Sequence, residues 1–538
     1  MLKSHGICWR WIILAAALFA GERRGFAEPP AADANGAASA AAMKAWRKPA
    51  VERRRRIIYN NDGNDARTPP EEPHTRENFL NKRTAALAGS QVDAIFYCTG
   101  IFNLYTHHST ETEPRISREE KVMNWAWELG QDGPDSLQTM IQFGHQHGME
   151  VFWSMRMNDC HDSTDPKNLS QWKKDHLDWL VGKKGVKYIA GGNRWSALNY
   201  AIPEVREKVF RILADVAARY DIDGLEIDFF RSPIYFQPQM SGKPVTQEHC
   251  DMMTDLLRRV RWMADEQALR RGRPMLIAVR VPDSVECSRA IGLDIERWLE
   301  EGLVDLMAVS CLFRLNPWET SVALGHKYGV PVYPSLSESR FKDEVAKALR
   351  NTSACYRGRA LEAWAAGADG IYMFNFNDPN SELWKELGDP RALLSLDHFF
   401  STGYTPAVSS VNTWLAKGSQ FLNLPVTLPE RPVTLTPGLP IRVELPAGMP
   451  PNHDPQQGPM MQVATRLCVE DSAQNAPTIE VKLNGNPLGT GKPDGQWIEY
   501  SARPEWMRQG TNQFELNLAP GGKRSCILRD LILLVRHP

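Results

Sequence analysis

The sequence carries almost no net charge, no cysteines at metal-ligand spacing and only one long apolar run, and each shortage removes a class of protein. Its 63 basic residues face 64 acidic ones, a net charge of −1, so no global field draws it to nucleic acid. None of the nine cysteines forms a Cys-x-x-Cys pair or a zinc-ligand spacing, which argues against structural zinc. No His-x-His or Glu-bearing helix motif supports His107, His108 or His161 as metal ligands, and they read as solvated loop histidines. Cys98 and Cys311 sit in apolar runs where a thiol serves as a small hydrophobe. Cys468 with Cys526 is the one disulfide the sequence suggests.

The single long apolar run, Trp11 to Ala20, follows Lys3, His5 and Arg10. It is too short to span a bilayer comfortably and reads as a signal peptide. Gly25-Phe26-Ala27 offers a cleavage site, although Glu22-Arg23-Arg24 intervenes, and an uncleaved anchor is the alternative. The expectation is a protein without residues 1–27, secreted or periplasmic. Residues 28–52 are Ala-rich, with Pro29-Pro30 and little hydrophobic periodicity, and read as a flexible lead-in.

From Arg53 onward, short β-rich runs alternate with helix-like segments. The runs are 56–60, 92–97, 149–154, 224–228, 275–280, 304–309, 330–334 and 370–375. Between them, apolar residues recur at spacings of three and four, as at Val205, Val209, Ile212, Leu213, Val216 and Ala217. Gly148, Gly302, Gly329 and Gly367 each precede a run, where a glycine ends a helix and turns the chain. There is no GxGxxG turn. Eight such units predict an α/β fold, a (β/α)₈ TIM barrel over 53–400, with an open doubly wound sheet as runner-up. After Asp397 the helical period stops and prolines punctuate the chain from Pro425 to Pro451. Residues 401–429 read as a linker, and 430–538, with alternating runs and the tight-turn pair Asn484-Gly485, as an antiparallel β-sandwich.

In the fourth run, alternation turns Leu225, Ile227 and Phe229 toward helices and Glu226 and Asp228 into the barrel. Asp228 lies nearer the C-terminal mouth, where barrel active sites are built. Two buried like charges repel and can make an acid beside a base. The bland alternative is a core salt bridge to Arg156 or Arg280. Other strand ends are polar too: Asn60-Asn61-Asp62, Arg156-Met157-Asn158-Asp159, Glu338 and Asn375-Phe376-Asn377-Asp378. Taken singly these read as turn residues; together they would ring one mouth.

The stretch Asp221-Ile222-Asp223-Gly224-Leu225-Glu226-Ile227-Asp228-Phe229-Phe230-Arg231 resembles the fourth-strand motif of the bacterial glycosyl hydrolase-like family 10 barrels, and more distantly that of chitinases and α-amylases. Phe230 stands where chitinases place their acid, which disfavours their chemistry. The amylase-like pattern implies Asp228 as nucleophile with an acid from the next strand end, Asp283 or Glu286. Glu338, after the seventh strand, is a rival. Leu483-Asn484-Gly485, with Trp497 and Gly510-Thr511-Asn512, resembles the jelly-roll ancillary domains of many glycosidases.

The resemblance implies hydrolysis of O-glycosidic bonds in a poly- or oligosaccharide, without a cofactor, by a carboxyl that protonates the leaving oxygen and a carboxylate that attacks or activates water. Asp228, Glu226, Asp283 and Glu338 are the catalytic candidates. Asn61, Asp62, Arg156, Asn158, Arg280, Asn375 and Asp378 are the substrate-binding ones, and the two arginines favour a uronate or sulfated glycan. The alternatives are a non-catalytic glycan-binding or cell-surface protein, and a metal-dependent hydrolase with Asp62, Asp228 and Asp378 as ligands.

Overall fold

The computed structural model describes residues 30, 39–69, 72–118, 123–165, 168–310, 312–337, 344–403, 409–424, 432–448, 462–469, 477–519 and 525–537. The proposed signal segment therefore lies outside the described residues. Eight parallel strands close into a barrel: β1 (Ile57–Asn61), β2 (Val92–Tyr97), β3 (Glu150–Arg156), β4 (Gly224–Asp228), β5 (Leu276–Val281), β6 (Leu306–Val309), β7 (Val332–Ser337) and β8 (Ile371–Phe374). Each pairs with the next, and β8 returns to β1. Every expected strand is present, and Gly148, Gly302, Gly329 and Gly367 all take the positive φ, 67° to 85°, that ends the preceding helical segment.

Alternation along the strands makes two separate apolar layers. Ile58, Ala94, Phe96, Phe152, Ala278, Ala308, Tyr372 and Phe374 fill the barrel interior. Leu225, Ile227, Val279 and Met307 pack with the helices, among them Val205, Val209, Ile212 and Val216 of helix Pro203–Arg219.

The barrel floor shows a repeat. The even strands are each entered by an aspartate that accepts a backbone N–H at the entry of the odd strand before. Asp93 takes Arg56 N at 2.7 Å, and Asp223, Asp305 and Asp369 take Val151 N, Ile277 N and Val332 N at 2.8 Å. Arg261 adds an ionic contact to Asp305, and His145 a hydrogen bond to Asp223.

The lead-in differs from expectation. Ala40–Val51 is a helix, capped by the Ser39 hydroxyl, with Met43, Trp46, Arg47 and Val51 buried. Arg47 donates to Asp305 at 3.0 Å and to Asp265 at 2.7 Å. Its inner face uses an arginine, so no apolar period shows, while the alanines that suggested disorder are the strongest helix formers.

The C-terminal region is two antiparallel sheets. One joins His398–Ser401, Cys526–Arg536, Gln462–Val469, Trp497–Ala502 and Lys492–Asp494, with Val433–Leu435 alongside; the other joins Ile441–Ala447, Gly510–Leu518, Ile479–Leu483 and Asn486–Pro487. The boundaries at 400 and 430 need correction, because His398–Ser401 pairs with Ile532–Val535 and so begins this domain. Within 401–429, helix Ser409–Trp414 and its neighbours lie on barrel loops: Thr413 O accepts Gly191 N at 2.6 Å, and Leu315 O accepts Asn423 N at 2.8 Å. These are backbone contacts, which side-chain pattern does not encode. Cys468 and Cys526 are not bonded to each other, since the register sets Cys468 opposite Asp530 and Cys526 opposite Leu435. Residues 526 and 530 of that strand are about 13 Å apart at roughly 3.3 Å per residue.

Candidate active site

Strand β4 is held tightly at its entry: a side chain at Gly224 would come within 2.3 Å of the Phe152 ring and 2.5 Å of Leu276 O. The close packing fixes the register that puts Glu226 beside Ser154 and Ala278, and Asp228 beside Arg156 and Arg280. Glu226 and Asp228 are both wholly buried. The Glu226 carboxyl accepts from Tyr372 Oη at 2.6 Å and from Asn60 Nδ2 at 3.3 Å. Burial pushes its pKa up to about 7, with Asp228 adding to the rise and Arg280 opposing it. Asn60 Oδ1, buried in the same interior, has no hydrogen-bond partner among the described residues.

Asp228 is engaged from two sides. Arg280 donates Nε to Oδ1 at 2.9 Å and Nη2 to Oδ2 at 2.5 Å, and the amides of Phe230 and Arg231 reach Oδ1 at 2.9 and 3.0 Å. The Arg280 guanidinium lies over the Phe374 ring at 4.1 Å, which fixes its plane. Arg280 therefore holds the strand-four carboxylate.

Toward the mouth the charges pair locally. Asp62 meets Arg83 at 2.5 Å; burial favours its neutral form, but Arg83 and Arg156 outweigh that and lower its pKa. Arg156 donates to Asp159 at 2.9 Å. Against burial, His161, Arg156 and Arg231 hold the Asp159 carboxyl well below the usual range. Asn61 bonds Asp65 at 2.9 Å and accepts Gly63 N, forming the turn after β1. Asn158 clamps loops through Leu198 and Ile234.

Asp283 is buried, its carboxylate taking the amides of Leu315 and Asn316 at 2.9 Å. Asn375 closes β8 with φ of 57°, and Asp378 caps Asn380 N at 3.0 Å. Glu338 lies outside the described residues. Among the described residues, no three His, Cys, Asp or Glu are grouped to hold a metal ion, and no helix is long and apolar enough to cross a membrane. Sequence reasoning gave Asp159 and Arg231 no separate role, although both stand within motifs already read, while Tyr372 shows only as an alternating residue of β8.

Fold and mouth together define a (β/α)₈ barrel with paired carboxylates and guanidiniums at the C-terminal ends of its strands. Residues 109–250, spanning β3 and β4, match the family described as Glycosyl hydrolase-like 10, in agreement with the fourth-strand resemblance. No curated protein matches the chain.

Among solved structures, a cycloisomaltooligosaccharide glucanotransferase of Paenibacillus sp. is 9% identical, with a TM-score of 0.35, over 89% of this chain and 57% of that one. An alpha-L-fucosidase isoenzyme 2 of Paenibacillus thiaminolyticus is 14% identical, TM-score 0.38, over 68% and 50%. The PgaB (BpsB) glycoside hydrolase domain of Bordetella bronchiseptica is 12% identical, TM-score 0.38, over 62% and 99%. The chain thus spans 57% of the length of the first and half that of the second.

Proposed function

We propose that this protein is exported and hydrolyses O-glycosidic bonds of a poly- or oligosaccharide at the C-terminal mouth of its barrel. The observation that carries the reading is the pair on β4: a carboxyl raised to about 7, Glu226, directly below a carboxylate gripped by a guanidinium, Asp228. Two carboxyls whose surroundings differ so much divide the work of acid and anion. Glu226, half protonated near neutral pH, is the proton source for the leaving glycosidic oxygen. Asp228 is the negative charge that meets the positive charge developing at the anomeric carbon. Water completes the reaction, its proton returning to Glu226 and its hydroxyl adding to the sugar.

One observation favours a second reading, a non-catalytic glycan-binding barrel: Asp228 Oδ1 already accepts three hydrogen bonds, as a structural cap would. The test is release of reducing ends from a panel of polysaccharides by wild type, Asp228→Asn and Glu226→Gln. Turnover lost in both variants, each still folded at the assay temperature, supports hydrolysis; no turnover by wild type on any glycan, with retained binding, supports the second reading. Export is tested by intact mass of the protein from the medium or periplasm, expected to lack residues 1–27; retention of Met1 overturns it.

A further inference from the structure

The face of the barrel mouth beside β3 and β4 carries charge of one sign. Three segments form it: the excursion between β3 and helix Pro203–Arg219, the loop after β4, and the stretch around helix Ser409–Trp414. No Asp or Glu occurs in 179–203, 229–247 or 409–424, although acidic and basic residues balance over the whole chain. Lys183, Lys184, Lys187, Lys243 and Lys417 are all exposed there, and none of the five is ion-paired among the described residues.

The segments are fastened to one another. Ile189 and Ala190 donate their amides to Met240 O at 3.0 and 3.2 Å, and Gly191 donates to Thr413 O at 2.6 Å. A side chain at Gly242 would stand 3.3 Å from both Ile189 Cγ2 and Ala416 Cβ, so these three positions meet, with Lys243 and Lys417 next in the chain. Lys183 to Val186 is a closed turn: Val186 N reaches Lys183 O at 3.2 Å, Tyr188 Oη accepts Lys183 N at 2.8 Å, and Gly185 takes φ of 81°. On this rigid frame Val186 is 48% and Ile189 70% exposed. A lone exposed aliphatic is ordinary. Ile189, though, is the most exposed large hydrophobic among the described residues, and backbone bonds hold it there among lysines.

Fixed aliphatics within a ring of ammonium groups match the boundary of a bilayer, where acyl chains receive the first and anionic headgroups the second. We infer that this face docks on an anionic lipid surface, Val186 and Ile189 entering below the headgroups while the five lysines lie against the phosphate layer. Lysine suits such a diffuse layer, being a point charge on a flexible stem; a built site for an acidic sugar would use guanidinium forks. The attachment is peripheral, since no helix among the described residues is long and apolar enough to cross a membrane. Docking would turn the C-terminal mouth, with Asp228, toward the lipid. The inference stands whether or not the barrel hydrolyses glycans.

Hydrogen exchange of the full-length protein on vesicles tests the assignment, one set of phosphatidylcholine alone and one of an equal mixture with phosphatidylglycerol. The apolar run at 11–20 can attach the chain to either set, so the amides of 183–189 and 240–243 are followed rather than the bound fraction. Slower exchange in both segments on the anionic vesicles alone, weakening about 10-fold or more at about 0.5 M salt, is the expected result.

Lys183→Gln, Lys184→Gln and Lys187→Gln together should raise the lipid concentration giving half the effect by at least about 10-fold, each lysine near such a surface being worth roughly 5-fold. Val186→Ser with Ile189→Ser should raise it too, and melting should not move in either variant because all five sites are exposed. Unchanged exchange at 183–189 on anionic vesicles overturns the inference, as does equal slowing in wild type and the triple Gln variant. Slowing by soluble polygalacturonate but not by vesicles overturns it in favour of an acidic polymer. Slowing that grows with protein concentration in the absence of lipid overturns it in favour of a second copy of this chain.

Discussion

Asp228 and Glu226 differ by one turn of the strand pleat, and their substitutions should separate. Asp228→Asn keeps the volume and removes the charge that Arg280 grips, so turnover should fall at least about 10²-fold. It also leaves the buried Arg280 uncompensated, so a loss of about 3 to 5 kcal/mol is expected in denaturant melts. Glu226 behaves oppositely. Its carboxyl sits at about 7 in the folded protein against an ordinary 4.5, so on raising the pH the unfolded chain releases this proton first. The contribution is full below about pH 4.5 and is lost as pH climbs through about 7.

Glu226→Gln cannot titrate; its stability relative to wild type should therefore rise between pH 4.5 and 7 and level off near 3 kcal/mol, roughly. Urea melts at pH 4.5 and 8 measure it, and a difference independent of pH would contradict the shift. The inward pair was legible because strand alternation is a property of sequence. The fate of Asp283 was not, since it depends on amides of Leu315 and Asn316, contributed by another loop. Arg280 was read both as a sugar ligand and as a core salt-bridge partner, and the register between β4 and β5, which sets it beside Asp228, decides for the second.

The strands and their glycine-ended helices were readable because both leave a period or a punctuation mark in the chain. The floor aspartates were printed just as plainly, at Val92-Asp93, Ile222-Asp223, Val304-Asp305 and Ala368-Asp369, but their meaning needs the neighbouring strand's amide. Asp305 receives Arg47, Arg261 and the Ile277 amide. Asp305→Ala should leave two buried guanidiniums, Arg47 and Arg261, with Asp265 as their remaining shared carboxylate and cost about 3 kcal/mol, read as a lowered urea midpoint. Arg47→Ala should show part of that loss, because helix Ala40–Val51 then loses its ionic tie to the floor. An unchanged midpoint for Arg47→Ala would mean that the helix contributes nothing to the barrel. A protein begun at residue 53, where composition suggests that order starts, should be less stable than one begun at 39.

Barrel and sandwich meet at helix Ser353–Ala365. A side chain at Gly448 would come within 2.4 Å of the Glu362 backbone, and Arg357 of the same helix donates to Asp397 O at 3.1 Å. Such backbone-to-backbone contact tolerates no added methyl without a shift. Wild type should therefore melt as one calorimetric transition, and Gly448→Val as two or as one displaced downward. An unaltered thermogram would show the two domains to be independent. The end of the barrel was legible as a change of period after Asp397, but the sandwich was begun at 430, some 30 residues late, because His398–Ser401 resembles any short strand until its partner at the far end of the chain is known.

Helix Ala40–Val51 also sets an order of events. Arg47 precedes its partner Asp305 by 258 residues. At translation speeds of about 5–20 residues per second, roughly 13 to 50 s separate the synthesis of the two. Throughout that interval the leading segment has no floor to bind and remains open to whatever meets a nascent chain. Release of the segment from protease attack should begin only in stalled chains long enough to expose β6 beyond the ribosome.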